Sequence, residues 1–298
     1  MSGVQEESKK GKIDISPSVL LEKMIEKQHS NKKYDQSLGK KEIVTRGKLV
    51  DWMCETGDTV RVSSECIHKA VVFLDVIMAE NTISENDLQP LGVVCLLLSA
   101  KMTEKDRPVA QIKAMFQKRM NIHPSQIRKY EMQVLSLLRW DLQCVTAADF
   151  VQFFVHQGVI FTNDKALTSC GYKFANKKMA LTIRQYTEFF ADMCLQEYSF
   201  TSMESLHLAA SIIAASRKMI KLATPWTSEL LLLTGLQYPS ISDTVEQINK
   251  HYNKLFNKPK APLPTVRENK ENNAPKVNRI GNTSRNSSGL RCAAIRYF

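Results

Sequence analysis

Nearly the whole segment 43–256 follows the periodicity of α-helices, and this restricts the chain to an all-α fold. Apolar residues recur at spacings of three and four, whereas no stretch sustains the strict alternation of a half-buried β-strand. Ser or Thr precedes Asp or Glu by three residues at several places, which is the pattern of a capping box at a helix start. Four such starts are predicted: Ser84 with Asp87, Thr146 with Asp149, Thr201 with Glu204, and Ser240 with Asp243.

Ten helices are predicted, five in each half of this segment. Breaks are expected at Gly57-Asp58, Asn81-Thr82, Asp106-Arg-Pro108, His123-Pro124 and Tyr238-Pro239. Proline is tolerated in the first turn of a helix. Pro90 therefore predicts that the third helix begins near Asp87 rather than at Ser84. The predicted helices cover residues 43–56, 64–79, 87–103, 109–118, 125–139, 147–156, 170–195, 203–221, 226–234 and 241–255.

The chain divides into four predicted segments. The third helix of each half is small and apolar and ends alike, as Leu98-Ser-Ala-Lys101 and Ala215-Ser-Arg-Lys218, which indicates an internal repeat of about 117 residues. We therefore predict an N-terminal segment 1–41, a first domain 42–143, a second domain 144–256 and a disordered basic tail 257–298. In the first segment, Ser16 and Pro17 begin a short helix whose apolar side is Leu20, Leu21, Met24 and Ile25.

The positive charge of the chain is concentrated at its two ends. Of the formal net charge of +11, residues 257–298 carry +7, residues 1–41 carry +3, and residues 42–256 carry only +1. A nearly neutral folded region argues against a basic face that binds nucleic acid. The seven cysteines are scattered without a Cys-x-x-Cys pair, which argues against a disulfide framework or a zinc site and favours a reducing, intracellular setting.

No catalytic constellation is found in the sequence. The glycine-rich dinucleotide and phosphate loops, the motif His-Glu-x-x-His and the motif Gly-x-Ser-x-Gly are absent, and the six histidines are dispersed. No stretch approaches the roughly 20 apolar residues of a membrane helix, and residues 1–12 lack the apolar core of a secretory signal. We expect a protein that is not an enzyme and that needs no cofactor or metal.

Two charged residues stand inside apolar helical stripes. Lys101 continues the stripe of Leu91, Val94, Leu97 and Leu98, and Glu131 lies in the stripe of Ile127, Val134, Leu135 and Leu138. Because an unpartnered buried charge is costly, the two side chains are expected to pair with each other or with polar groups of another molecule. The alternative is that Lys101 caps its helix and that Glu131 reaches out to water.

Five dispersed motifs resemble the cyclin box in order and in spacing. They are Arg46-Gly-Lys-Leu-Val-Asp-Trp52, Phe73-Leu-Asp75, Leu96-Leu-Leu-Ser-Ala-Lys101, Tyr130-Glu-Met-Gln-Val-Leu135 and Trp140-Asp-Leu142. The match is close over 42–143 and looser over 144–256. The second half is most similar to the J-type cyclins, on Tyr186-Thr-Glu-Phe-Phe190, Leu195-Gln-Glu-Tyr-Ser-Phe200, Ala215-Ser-Arg217 and Thr224-Pro-Trp226. The resemblance implies two tandem five-helix cyclin-box domains with a short N-terminal helix and disordered tails.

The resemblance also implies a function: a regulatory subunit that binds and activates a cyclin-dependent protein kinase in cell-cycle control. In cyclins, the residues that match Lys101 and Glu131 lie close together and hold main-chain groups near helix C of the kinase. Further positions match the apolar surface that receives this helix and the base of the activation loop: Leu98, Met102, Leu135, Trp140 and Leu142. Plain core packing is the alternative for Trp140 and the three leucines.

Two more sets of residues have counterparts in the family. Arg46 and Asp51 match a polar pair that fixes the first helix of the box, and Asp75 matches a similar structural acid. The patch that captures Arg-x-Leu peptides is matched by Leu49, Trp52, Glu55 and Gln89, but two of its usually apolar positions are Thr45 and Lys48. Because a lysine repels the arginine of such a peptide, we expect this docking groove to be defective.

The C-terminal tail contains a tripeptide that resembles a short degradation signal. Lys270, Glu271 and Asn272 resemble a KEN box, which makes the anaphase-promoting ubiquitin ligase a second expected partner. The resemblance implies a nuclear location, with the cytoplasm as a further compartment, and no contact with membranes or nucleic acid. The alternative function is a cyclin-fold transcription adaptor that binds DNA or the transcription machinery. That alternative predicts a basic folded region beside a zinc site, which residues 42–256 do not offer.

Overall fold

The computed structural model describes residues 16–30, 38–80, 83–121, 123–169 and 171–256. Within these ranges there are eleven α-helices, one short 3-10 turn (Tyr198–Phe200) and one two-stranded sheet. The helices are α1 (Pro17–Ser30), α2 (Lys40–Val60), α3 (Ser64–Glu80), α4 (Glu85–Thr103), α5 (Asp106–Met120), α6 (Pro124–Leu137), α7 (Ala147–Gln157), α8 (Lys177–Gln196), α9 (Ser205–Met219), α10 (Ser228–Thr234) and α11 (Tyr238–Phe256). The strands are β1 (Lys165–Thr168) and β2 (Gly171–Phe174).

Each half of the fold is built around one buried helix. In the first domain α4 contacts α2, α3, α5 and α6, and in the second α9 contacts α7, α8 and α11. Residues 91–100 of α4 and 208–217 of α9 are buried at every position, because neighbours cover these helices all round. The two helices carry the similar segments of the predicted repeat. The predicted all-α architecture of two tandem five-helix domains is confirmed.

Helix α1 begins at Pro17 as predicted and packs on the second domain. Leu21, Met24 and Ile25 lie against the core of that domain. Gln28 is buried, and its side-chain oxygen accepts a hydrogen bond from the Leu206 N–H at 2.5 Å. The prediction is wrong for Leu20, which is exposed.

In the first domain, the predicted end of α2 and the predicted start of α4 are wrong. A break was expected at Gly57, but α2 continues to Val60. A Cβ atom at position 57 would lie 2.7 Å from Ile67, so the glycine permits close packing of α2 against α3. The start near Asp87 is also wrong, since α4 begins at Glu85 with Ser84 as its N-cap, and Pro90 lies inside the helix.

Of the helix starts predicted at Thr146, Thr201 and Ser240, the first is confirmed and the other two are wrong. Thr146 forms the expected capping box of α7: its side chain accepts from the Asp149 N–H, and the Asp149 carboxylate accepts from the Thr146 N–H. The Thr201 start is wrong, because α9 begins at Ser205. The Ser240 start is wrong as well, because α11 begins at Tyr238 and the Ser240 hydroxyl donates to the Gln237 carbonyl.

The long helix predicted over 170–195 begins only at Lys177, and a β-hairpin precedes it. Leu167 lies opposite Tyr172, and Thr168 lies opposite Gly171, whose φ of 97° suits glycine. The expectation of a purely helical segment is therefore wrong for residues 165–168 and 171–174. Each strand is only four residues long, which is too short for alternation to stand out in the sequence.

Candidate functional site

Helices α4 and α6 bring Lys101 and Glu131 together at the surface of the first domain. The ammonium of Lys101, in the last turn of α4, donates to Oε1 of Glu131 at 2.8 Å. The lysine side chain is 43% exposed and the glutamate side chain is 18% exposed. Glu131 therefore has a charged partner rather than water alone, while Lys101 also complements the helix dipole of α4. The pair remains accessible to a second molecule.

The apolar residues predicted around this pair differ in their burial. Leu98 is part of the core, so core packing is the right description of its place here. Leu135 and Leu142 are half-buried and pack against the same core. Met102 and Trp140 are 46% and 64% exposed, and simple core packing is wrong for Trp140. Exposed tryptophan and methionine side chains are typical of a protein-binding surface.

The backbone at the end of α6 sets the position of Trp140. The helix stops at Leu137, and both Arg139 and Trp140 have left-handed backbone angles, with φ of 52° and 60°. The Trp140 N–H donates to the Leu135 carbonyl at 2.8 Å, which satisfies one of the last carbonyls of the helix. Left-handed geometry costs a non-glycine residue about 1–2 kcal/mol, and such strain is concentrated at functional positions.

The structural polar residues are paired differently from the expectation. Arg46 is buried and donates to both carboxylate oxygens of Asp75, at 2.6 and 2.8 Å, rather than to Asp51. The reason is geometric: Arg46 and Asp51 are five residues apart on α2 and so point about 140° apart around it. Burial, followed by repulsion from Glu55, raises the pKa of Asp51 to about 6.

The residues of the expected peptide-docking groove lie on one face of α2 and beside it on α4. Thr45, Lys48, Leu49 and Trp52 follow helical spacing, with Lys48 exposed and Leu49 buried. Glu55 and Gln89 are exposed. Lys48 is therefore exposed on the face of α2 that carries Trp52, and the loss of peptide docking remains a prediction.

Sequence reasoning missed one buried ion pair in the second domain. The Arg217 side chain is fully buried and donates to both carboxylate oxygens of Asp164, at 2.5 and 2.9 Å. It also donates to the carbonyls of Thr224 and Pro225. A signal was present: Arg217 follows Ala209 and Ile213 at helical spacing, as Lys101 follows its own stripe.

Other sequence features fall outside the described residues or have no counterpart within them. The motif of Lys270, Glu271 and Asn272 and the whole segment 257–298 lie outside the described part of the chain. In the described part, no helix is long and apolar enough to cross a membrane. Nor do three or more His, Cys, Asp or Glu side chains there gather into a group that could hold a metal ion.

Comparison with known proteins finds cyclins. A family model of the cyclin N-terminal domain matches residues 17–143, and one of the cyclin C-terminal domain matches residues 145–281. Cyclin-A1-3 of Oryza sativa subsp. japonica is 26% identical over 226 residues, which are 75% of this chain and 42% of the relative. The human G1/S-specific cyclin-D3 is 27% identical over 207 residues, 68% of this chain and 65% of the relative. Cyclin-J of Xenopus laevis is 24% identical over 187 residues, 61% of this chain and 48% of the relative.

Solved structures with the same fold include a viral cyclin from herpesvirus saimiri. It superposes with a TM-score of 0.61 at 16% identity, over 79% of this chain and 97% of the viral one. A chain of the yeast RNA polymerase II CTD kinase CTDK-1 complex gives a TM-score of 0.55 at 12% identity, over 79% of this chain and 73% of that one. At these identities the likeness concerns the fold. The chain spans less than half the length of the rice cyclins that it matches.

Proposed function

The chain belongs to the cyclin family, and on this basis we propose that it is a regulatory subunit that binds and activates a cyclin-dependent protein kinase in cell-cycle control. The observation that carries the proposal is the Lys101–Glu131 pair, formed at 2.8 Å. Met102, which follows Lys101 in α4, and Trp140, which follows the end of α6, are both exposed. The names of two similar proteins support it, since one is a G1/S-specific cyclin and the other is a kinase complex. The net charge of only +1 on residues 42–256 favours a kinase over DNA as the partner.

The geometry of the pair suits recognition of a main chain. An ammonium group has three N–H donors, and one of those of Lys101 is directed at Glu131. The other donors can bind carbonyl groups, and the second carboxylate oxygen of Glu131 can accept from an N–H group. Each residue then neutralises the charge of the other when a partner covers both. Met102 and Trp140 would supply the apolar contact around them.

In this proposal the chain supplies binding energy and no reacting group. It binds the kinase conformation with helix C turned inward more tightly than the inactive one, and the difference in affinity shifts the population. That helix carries the glutamate that pairs with the lysine which positions ATP. The absence of catalytic motifs in the sequence agrees with such a role.

Replacing either charged residue tests the proposal. Lys101→Ala or Glu131→Ala leaves the other charge without its partner at a desolvated interface, which typically costs 2–5 kcal/mol, or about 30-fold to several thousand-fold in affinity. The double variant should lose less than the sum of the two, because no orphaned charge remains. The measurement is binding to a panel of purified cyclin-dependent kinases, together with peptide-kinase activity.

A matched control removes one member of an exposed pair elsewhere. Arg184 and Glu188 form an ion pair on α8 at 3.1 Å, and Glu188→Ala should leave kinase binding unchanged. Circular dichroism checks that every variant is folded. Normal binding and activation by folded Lys101→Ala and Glu131→Ala proteins would show that the two charges are ordinary surface residues.

We further propose that the anaphase-promoting ubiquitin ligase limits the lifetime of the protein through Lys270, Glu271 and Asn272, and that the protein acts in the nucleus. The motif lies in a polar, basic tail with few large apolar residues, as a short recognition segment should. Deletion of 270–272 should lengthen the half-life in late mitosis and early interphase in synchronised cells, with kinase binding unchanged. Deletion of 281–283 in the same tail is the control. Equal decay of the two deleted proteins would assign the motif to chance.

A further inference from the structure

The hairpin of the second domain has one covered edge and one open edge. The segment 221–223 covers the free side of β1: the Leu167 N–H donates to the Lys221 carbonyl at 2.9 Å, and the Ala223 N–H donates to the Lys165 carbonyl at 2.8 Å. The other side of β1 is paired with β2. Within the described residues, β2 has no strand partner except β1.

The ladder shows which groups of β2 face outward. Hydrogen-bonded and non-hydrogen-bonded pairs alternate along an antiparallel ladder. The Ala175 N–H donates to the Asp164 carbonyl at 2.8 Å, so the main-chain groups of Ala175 face the β1 side of the hairpin. The N–H and C=O groups of Lys173 and Gly171, two and four residues earlier, therefore also face β1. The N–H and C=O groups of Tyr172 and Phe174 therefore point away from the hairpin. They form a row of free donors and acceptors, to which another chain can add as a strand.

Apolar side chains stand beside this open edge. Lys165, Leu167, Tyr172 and Phe174 occupy one face of the hairpin, because side chains alternate along each strand and the register pairs these four residues. Leu167, Tyr172 and Phe174 are 50%, 62% and 63% exposed. The ammonium of Lys165 lies 5.2 Å from the centre of the Phe174 ring. Three large apolar groups on one small hairpin form an exposed patch of the kind that marks a binding site.

The charge around the hairpin indicates the chemistry of the occupant. Residues 165–187 contain five basic and no acidic residues, and the acid that precedes them, Asp164, is buried against Arg217. The terminal segments of this chain are themselves basic and would be repelled. A second copy would bring the like charges of two Lys173 side chains close together across the paired edges. The positive charge around the hairpin therefore favours the binding of an acidic partner chain.

We propose that the outer edge of β2 is a docking site for an extended, acidic segment of a partner protein, which binds as an added strand. Alternate residues of that segment are apolar and lie against Tyr172 and Phe174, while the residues between them are acidic and lie beside Lys173. The site belongs to the second domain and uses neither Lys101 nor Glu131. It is therefore independent of the proposed kinase surface.

A fluorescent ten-residue peptide of alternating Glu and Val, titrated against the full chain at low salt, tests this site. Proline is tolerated where the N–H of an edge strand faces outward, so Tyr172→Pro preserves the hairpin but removes one donor. Tyr172→Ala is the matched control, since it removes the same side chain and keeps the N–H. We expect Tyr172→Pro to bind the peptide at least about fivefold more weakly than Tyr172→Ala, the effect of one hydrogen bond.

Charge is tested separately from the backbone. Lys173→Glu, at an exposed position, should weaken binding of the acidic peptide, and a peptide of alternating Lys and Val should not bind. Lys101→Ala should bind the acidic peptide as the unchanged protein does. Equal affinities of Tyr172→Pro and Tyr172→Ala, binding indifferent to Lys173→Glu, or dimerisation abolished by Tyr172→Pro would each overturn the proposal. The last result would assign the edge to a second copy of the chain.

Discussion

Arg46 and Arg217 are the two largest side chains that are fully buried, one in each domain. Each donates to both oxygens of one aspartate, and each donates further hydrogen bonds to main-chain carbonyls. A guanidinium offers five donors in a fixed plane, and Arg217 uses all of them. A lysine could not replace either residue, because a point charge cannot reach so many acceptors at once.

Asp51 should make the stability of the first domain depend on pH. Its pKa is raised from 3.8 to about 6, mainly by burial, so folding favours the neutral carboxyl. The stability that the neutral Asp51 carboxyl contributes to the folded state is fully present below about pH 4 and is lost as the pH rises through 6. Asp51→Asn should raise the free energy of unfolding by about 1 kcal/mol at pH 7.5, a value reduced for solvent screening, and by almost nothing at pH 4. Urea unfolding of both proteins at pH 4, 6 and 7.5 measures this difference in the free energy of unfolding. If the free energies of the two proteins change with pH in parallel, the prediction is wrong.

Single residues were predictable from the sequence when a charge interrupted an apolar stripe, but their partners often were not. Lys101 and Glu131 were singled out because each interrupts an apolar stripe, and the family resemblance then implied that they lie close together. Arg217 obeys the same rule, yet its partner Asp164 lies 53 residues away in a loop before β1. Nothing local to either residue indicates that contact, because it depends on how α9 packs against the hairpin. The pairing of Arg46 with Asp75 rather than Asp51 was missed for the same reason.

At the scale of elements, helix starts are stabilised by particular side chains. Thr146 caps α7 through a reciprocal pair of hydrogen bonds with Asp149, whereas Ser240 lies inside α11 and caps nothing. Thr146→Ala should lower the free energy of unfolding by about 1–2 kcal/mol. Ser240→Ala is the matched control and should change it by less than about 0.5 kcal/mol. Equal effects of the two substitutions in chemical denaturation would contradict the assigned caps.

Helices could be predicted from the sequence because each repeats its pattern over many residues, and the hairpin could not. Helix α9 shows an apolar and small-residue pattern for nine positions, from 208 to 216. β1 and β2 have four residues each, which is too short for an alternating pattern to be recognised. The strands are held from outside their own sequence, by the carbonyl of Lys221 and the N–H of Ala223. Local propensity does not report such long-range support.

At the scale of the whole molecule, polar groups tie the two domains together. Arg46 of α2 donates to the carbonyls of Leu195 and Gln196 at the end of α8, which lack partners in their own helix. His68 of α3 lies 3.0 Å from the Asp192 carboxylate of α8, and both side chains are buried. Such contacts keep their geometry only while both domains are folded. They should make the domains unfold together rather than in sequence.

Substitutions of the two buried arginines can distinguish the coupling between the two domains from the stability of a single domain. Arg46→Met leaves Asp75 without its cation and removes the hydrogen bonds to α8, so we expect a loss of about 3–5 kcal/mol and two separate unfolding transitions. Arg217→Met leaves Asp164 equally orphaned, but its contacts lie within the second domain. It should destabilise that domain by a similar amount, without weakening the contacts of Arg46 with α8. Differential scanning calorimetry with intrinsic fluorescence follows both variants. If the Arg46→Met protein unfolds in one transition whose calorimetric and van't Hoff enthalpies agree, the contacts of Arg46 with α8 do not couple the domains.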